Sequence, residues 1–184
     1  STLNNLTDIT MNEQYSKIVG IDENQLYIYF DEYIKILAEK KKITVEELKI
    51  RLKKWYNCYS WDGKNFLYNP YSILSAFSQK NIKNYWFGTG TPTFLIKMIR
   101  AYNVDVKKLE KMVLSEKDFE SFEVDKMNVN ALLFQTGYLT IKEIIENDED
   151  LEYVLSYPNE EVKKSMLDYL LDDYAYQQIS DDIS

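Results

Sequence analysis

The sequence predicts a mainly α fold: a helical bundle followed by a small α+β unit with one β-hairpin. Three observations carry that reading. Thr10/Glu13, Asp22/Gln25 and Thr44/Glu47 each set an N-cap oxygen three positions ahead of a side chain that can reach back, which is the spacing of a reciprocal helix cap. Asn69-Pro70 and Thr91-Pro92 pair a capping residue with a proline whose fixed φ suits the first helical turn. Only in the last third does the pattern change, where "YLTIKEII", "NDED" and "LEYVLSY" read as two strands around a polar turn.

Taken in order, three helices should end near Gly20, near Lys41 and near Tyr56. The second carries Leu26, Phe30, Ile34 and Leu37 as one apolar stripe, and the third carries Leu48, Leu52 and Trp55. Then comes "YNCYSWDGKNFLYNP", Tyr56 to Pro70, which reads as a structural corner. Asp62-Gly63 can turn the chain, Asn69-Pro70 starts the next helix, and Trp55, Tyr56, Tyr59, Trp61 and Tyr68 can fasten the corner to its neighbours. Cys58 sits among these aromatic side chains as a small hydrophobe. The helix after the corner carries Ile73, Leu74 and Phe77, and "TFLIKMIRAY" predicts another. "NVNALLFQTG" predicts a short apolar helix closed by Gly137. Pro158 ends the second strand, Asn159 caps, and Val162, Met166, Tyr169, Leu170 and Tyr174 mark a final amphipathic helix. The order helix, hairpin, helix is compatible with a winged-helix-like unit.

Composition removes several chemistries. The chain has no histidine and one cysteine, which excludes Ser-His-Asp and Cys-His catalysis, histidine metal sites and a disulfide framework within one chain. No apolar run approaches the ~20 residues that cross a bilayer, and the polar start lacks a signal-peptide pattern, so the expected setting is cytoplasmic with no membrane partner. The net charge of −8 argues against nucleic acid as the main partner of this segment alone. Between Ile34 and Lys54, however, eight Lys/Arg face three Asp/Glu, a local +5 that leaves −13 elsewhere. Lys40, Lys41, Lys42, Lys49, Arg51, Lys53 and Lys54 read first as a solvated surface, and in the sharper reading as a docking face for an acidic partner or nucleic acid.

No catalytic or metal-binding set emerges. A phosphate loop of the form G-x-x-x-x-G-K-[ST] is missing from the sequence. "FGTGTP", Phe87 to Pro92, leads into a helix start where free amides favour an anion, but a flexible connector ending in a Thr-Pro helix start is the favoured reading. The E-x-K strings at Glu39, Glu47 and Glu161 fall in predicted helices and read as exposed charges, because a metal nuclease needs its acids and lysine on neighbouring strands. The acidic turn Asn147 to Asp150 lacks the ligand spacing of a calcium loop. The tyrosines, at helical spacing beside Leu and Ile, read as core and not as a stacking platform for single strands.

The run from "YNCYSWDGKNFLYNPYSILSAF" through "NYWFGTGTPTFLIKMI", followed by "NALLFQTGYLTIK" and "LSYPNEEVKKSMLDYLL", resembles a family of bacterial AAA-ATPase-like proteins. In that family a P-loop ATPase core precedes such a segment and a PD-(D/E)XK nuclease-like domain often follows. The resemblance implies a helical lid-like region over 1–103, which the order of elements follows with a helix/β-hairpin/helix unit over 104–178; the acidic tail over 179–184 is expected to be disordered. The resemblance implies no cofactor for the segment itself, with ATP and Mg expected only for the parent protein, whose ATPase core and nuclease-like domain would be its partners. Gly88, Thr89, Gly90, Thr91 and Lys97 would then touch nucleotide held by that core. The segment would be non-catalytic and would couple nucleotide state to the attached domain; the alternative is a protein-interaction module with no part in nucleotide chemistry. The family usually has glycine where this chain has Cys58, and an ordinary side chain there makes a positive φ unexpected. A reactive thiol would need Lys53 or Lys54 beside it.

Overall fold

A computed structural model describes residues 20–86, 93–120, 129–147 and 150–181. The described chain is mainly α with a small antiparallel sheet, arranged around two adjoining apolar cores. The helix start expected at Thr10 and the Thr91-Pro92 pair lie outside the described residues.

The first core is built by α1 (Glu23–Tyr29), α2 (Asp31–Lys41), α3 (Val45–Tyr56) and α4 (Pro70–Gln79). Both described capping boxes form: Asp22 accepts from Gln25 N, Thr44 accepts from Glu47 N, and each partner side chain reaches back to the cap's own backbone N–H. Asn69 caps α4 by accepting from Ser72 N, with Pro70 in the first turn. Leu26, Ile34, Leu37, Leu48, Leu52 and Ile73 are fully or almost fully buried, each contributing about 1.5–3 kcal/mol of apolar transfer. The single helix expected from Asp22 to Lys41 is in fact two. Phe30, at φ −120° and ψ 17°, leaves the helical region and lets its ring stack on Phe77 at 5.7 Å.

The second core gathers α5 (Thr93–Ala101), β1 (Met112–Ser115), α6 (Glu116–Glu120), α7 (Val129–Gln135), β2 (Thr140–Glu146), β3 (Leu151–Ser156) and α8 (Glu160–Asp181). The expected hairpin is present as β2 and β3, but it belongs to a three-stranded sheet of order β1-β3-β2, both pairings antiparallel. β1 was not expected, because four residues leave no room for an alternating pattern to declare itself. Its last residue, Ser115, turns the chain into α6 by accepting from Asp118 N at 3.1 Å. Phe119 of α6 stacks on Tyr153 at 4.4 Å and meets Phe134 edge-on at 5.2 Å, which pins α6 and α7 over the sheet. Gly137 closes α7 at φ 80°, as its position predicts. No helix among the described residues is long and apolar enough to cross a membrane.

Candidate functional site at the aromatic corner

The corner between α3 and α4 is built on one carboxylate. Asp62 Oδ1 accepts from Lys64 N (2.9 Å), Asn65 N (2.8 Å) and the Ser60 hydroxyl (3.2 Å), while Oδ2 accepts from Asn65 Nδ2 (2.7 Å). An Asp that gathers the amides of the residues after it is the local chemistry of a turn. Gly63 comes next at φ 67°, and a Cβ there would stand 3.1 Å from Ile141 Cγ2, so both conformation and space ask for glycine. The two arms of the corner pair at Tyr59 and Leu67, with N–O distances of 3.1 and 2.8 Å. Cys58 has a φ of 76°, so the backbone adopts the left-handed region without a glycine. Its amide donates to Asn57 Oδ1.

From this corner a seam of buried polar contacts joins the two cores. Ser60 N donates to Thr140 Oγ1 at 2.7 Å, and the Thr140 hydroxyl donates to Ser60 O at 2.9 Å. Asn159 caps α8 by accepting from Val162 N at 3.1 Å and also donates from Nδ2 to Asn57 O at 2.9 Å. Residues 83–86 form a strap across the seam. The Tyr56 hydroxyl donates to Lys83 O (2.8 Å) and accepts from Lys83 N (3.0 Å), and Asn84 Nδ2 donates to Ser165 Oγ at 2.8 Å. Glu161 Oε1 accepts from Tyr85 N at 2.6 Å and Trp86 N at 3.0 Å.

Glu161 corrects the sequence reading most sharply. It is 0% exposed, whereas Glu39 and Glu47 of the other two E-x-K strings are exposed as expected. Burial pushes its carboxyl above the usual value of 4.5, against the opposing pull of the Ser72 hydroxyl and the two strap amides. Glu47 behaves oppositely, its carboxyl lowered by the backbone and hydroxyl of Thr44.

Two clefts open beside the corner. One, of about 240 Å³, is walled by Tyr59, Trp61, Leu67, Pro70 and Trp86. Trp86 stacks on Tyr59 at 6.0 Å and meets Tyr138 edge-on at 6.0 Å. The other, of about 540 Å³, includes the charged residues Asp22, Lys53, Lys64 and Lys142, with Cys58 beside them. Lys142 stands at the register shift in β2 between Ile141 and Glu143, and a bulge of this kind re-aims a side chain. Its ammonium donates to Pro158 O at 2.8 Å, and burial pushes its pKa down.

The expected corner residues Trp55, Tyr56, Cys58, Tyr59, Trp61, Asp62, Gly63, Asn69 and Pro70 come together, but they divide between the cores. Tyr56 and Trp55 belong to the first, while Tyr59 and Trp61 pack against the second, Trp61 edge-on to Phe134 at 5.3 Å. Gly88, Thr89, Gly90 and Thr91 lie outside the described residues; Lys97 is exposed on α5. The basic face is partly neutralised, with Lys49 paired to Glu46 (2.9 Å), Lys53 to Glu23 (3.2 Å), Lys54 to Glu160 (3.8 Å), and Lys41 donating to Asn81. Lys40, Lys42 and Arg51 have no ion pair among the described residues. Lys142, from the hairpin, interacts electrostatically with Cys58. No group of three or more His, Cys, Asp or Glu among the described residues could hold a metal ion. Sequence reasoning identifies Asn159 as a cap but misses its bond to Asn57, and it misses Ser60, Thr140 and Glu161 as seam residues. Their partners lie 75 to 102 positions away, beyond any local pattern.

Comparison with known proteins adds one relative. The chain is 35% identical over 171 residues, 93% of its length, to a protein of Azotobacter chroococcum mcd 1 described as an uncharacterized protein in the vnfD 5′ region. It spans 31% of that relative's length. No family model and no solved structure matches the chain.

Proposed function

We propose that this chain is the non-catalytic lid and linker region of a bacterial AAA-type ATPase, coupling nucleotide state to an attached nuclease-like domain. One observation supports the reading above others: the strings that carry the family resemblance meet in space. "YNCYSWDG" supplies Asn57 and Ser60, "LLFQTGYLTIK" supplies Thr140, and "LSYPNEE" supplies Asn159 and Glu161. Those residues form the seam between the two cores, which is where a coupling element needs its specific contacts.

The second core also has features of a winged-helix-like unit. Helix α5, strand β1, helices α6 and α7, then the β2–β3 hairpin with sheet order β1-β3-β2, is an order of elements compatible with such a unit. In a helix-turn-helix, the second helix reads the groove of DNA. Here α7, VNALLFQ, has no Lys or Arg, and Trp61 of the corner lies against its Phe134. The unit is therefore better suited to holding protein than nucleic acid.

The test uses the longer protein that contains this segment. Replacing Thr89, Thr91 and Lys97 together with alanine should weaken nucleotide binding and hydrolysis at least about tenfold, the equivalent of one lost polar contact of about 1.4 kcal/mol. Unchanged nucleotide affinity and turnover, together with weakened binding of a protein partner, would sink the lid reading in favour of an interaction module. The segment alone should show no ATP turnover.

A further inference from the structure

The outer sides of α2 and α4 carry apolar side chains that the described chain leaves open to water. On α2, Tyr33 and Ile36 lie one turn apart and are 54% and 45% exposed. The Tyr33 ring sits 5.9 Å from that of Phe77 on α4, and Leu74, one turn before Phe77, is 45% exposed, so the two helices share this face. Lys40 continues the α2 stripe one turn beyond Ile36. The two helices also end together, since Lys41 donates to Asn81. Each is closed by a lysine in the left-handed region, Lys42 at φ 56° and Lys80 at φ 50°. Glycine adopts that conformation without cost and lysine does not. Two ammonium groups are thus placed at this end of the face against local preference, beside Lys40. All three lysines are exposed and have no ion pair among the described residues. An apolar face with an unneutralised basic end suits a helix that is apolar on one side and acidic.

The chain itself carries such a helix. α8 has 22 residues, about 33 Å, and its fully buried side chains, Glu161, Val162, Ser165 and Met166, all lie in its first two turns. Leu167 and Leu171, one turn apart, follow them and are 41% and 67% exposed. From Leu167 to Asp181 the helix has four aspartates and no lysine or arginine. We propose that α8 of one molecule lays Leu167 and Leu171 on the Tyr33, Ile36 and Leu74 face of a second copy, with its aspartates toward Lys40, Lys42 and Lys80. The contact is head-to-tail, because the two surfaces differ. Each dimer therefore keeps one of each surface free, and association continues past two copies. The contact uses neither the corner nor the strap, and it stands apart from any role in nucleotide chemistry.

Sedimentation of the full chain tests this. The mass should rise with concentration from the 21.9 kDa monomer to beyond the dimer. Salt at about 0.5 M should lower it, since the screening length then shrinks to a few ångströms. Ile36→Asp on the face and Leu171→Lys on α8 change exposed positions, so each should keep the Tm of the unmodified chain and yet remain monomeric. Mixed in equal amounts, the two variants should form a dimer and nothing larger. One of them retains the acidic helix and the other retains the face, which leaves a single productive contact. An unmodified chain that stays monomeric up to about 1 mM would overturn the proposal. So would either variant associating by itself, or a mixture that stays monomeric, because then the face and α8 are not each other's partners.

Discussion

At the scale of single residues, Cys58 carries a conformation that its side chain does not favour. A non-glycine residue at φ 76° places its Cβ against the next carbonyl, which costs about 1–2 kcal/mol. Cys58→Gly should therefore stabilise the protein, by about 1 kcal/mol once glycine's extra unfolded-state entropy is subtracted. For a chain of this size that is a rise in Tm of about 2–4 °C by calorimetry, and a fall would mean that packing of the thiol outweighs the backbone strain. A glycine at this position would thus have a physical reason. The backbone needs the left-handed region here, and cysteine tolerates it because Asn57 Oδ1 receives its amide and Asp62 holds the turn just downstream.

At the scale of elements, helix starts were the most legible feature of the sequence. Asp22, Thr44, Asn69 and Asn159 all cap as their spacing predicts, since a cap is a contact between residues three apart and local sequence contains both partners. The role of a cap beyond its own helix is not local. Thr44→Ala should cost about 1 kcal/mol in urea denaturation, the ordinary worth of a cap. Asn159→Ala should cost about 2 kcal/mol, because it also deprives Asn57 O of a buried donor. Equal losses would mean that the bond across the seam adds nothing. The same distinction explains the misses. The break at Phe30 accompanies ring stacking with Phe77, 47 positions away, and β1 exists because β3 offers it an edge. Neither partner can be inferred from the segment itself.

At the scale of the molecule, the seam decides whether the two cores behave as one. Its centre is the reciprocal pair formed by Ser60 and Thr140, both buried. Thr140→Val keeps the shape and removes the hydroxyl, leaving the Ser60 amide without its acceptor. The expected loss is about 1–3 kcal/mol in urea denaturation, and a variant as stable as the original would show that the pair is dispensable. Glu161 illustrates why the site was less legible than the fold. An E-x-K string in a helix is usually solvated, and only a strap arriving from 76 positions upstream turns it into a buried group. That strap carries Trp86, one of three tryptophans, stacked on Tyr59 and edge-on to Tyr138 against the second core. With Trp55 and Trp61 replaced by phenylalanine, all of the tryptophan emission would come from this one indole. The protein thus carries an optical gauge beside the seam, placed where a shift of the strap against the second core alters the ring's surroundings.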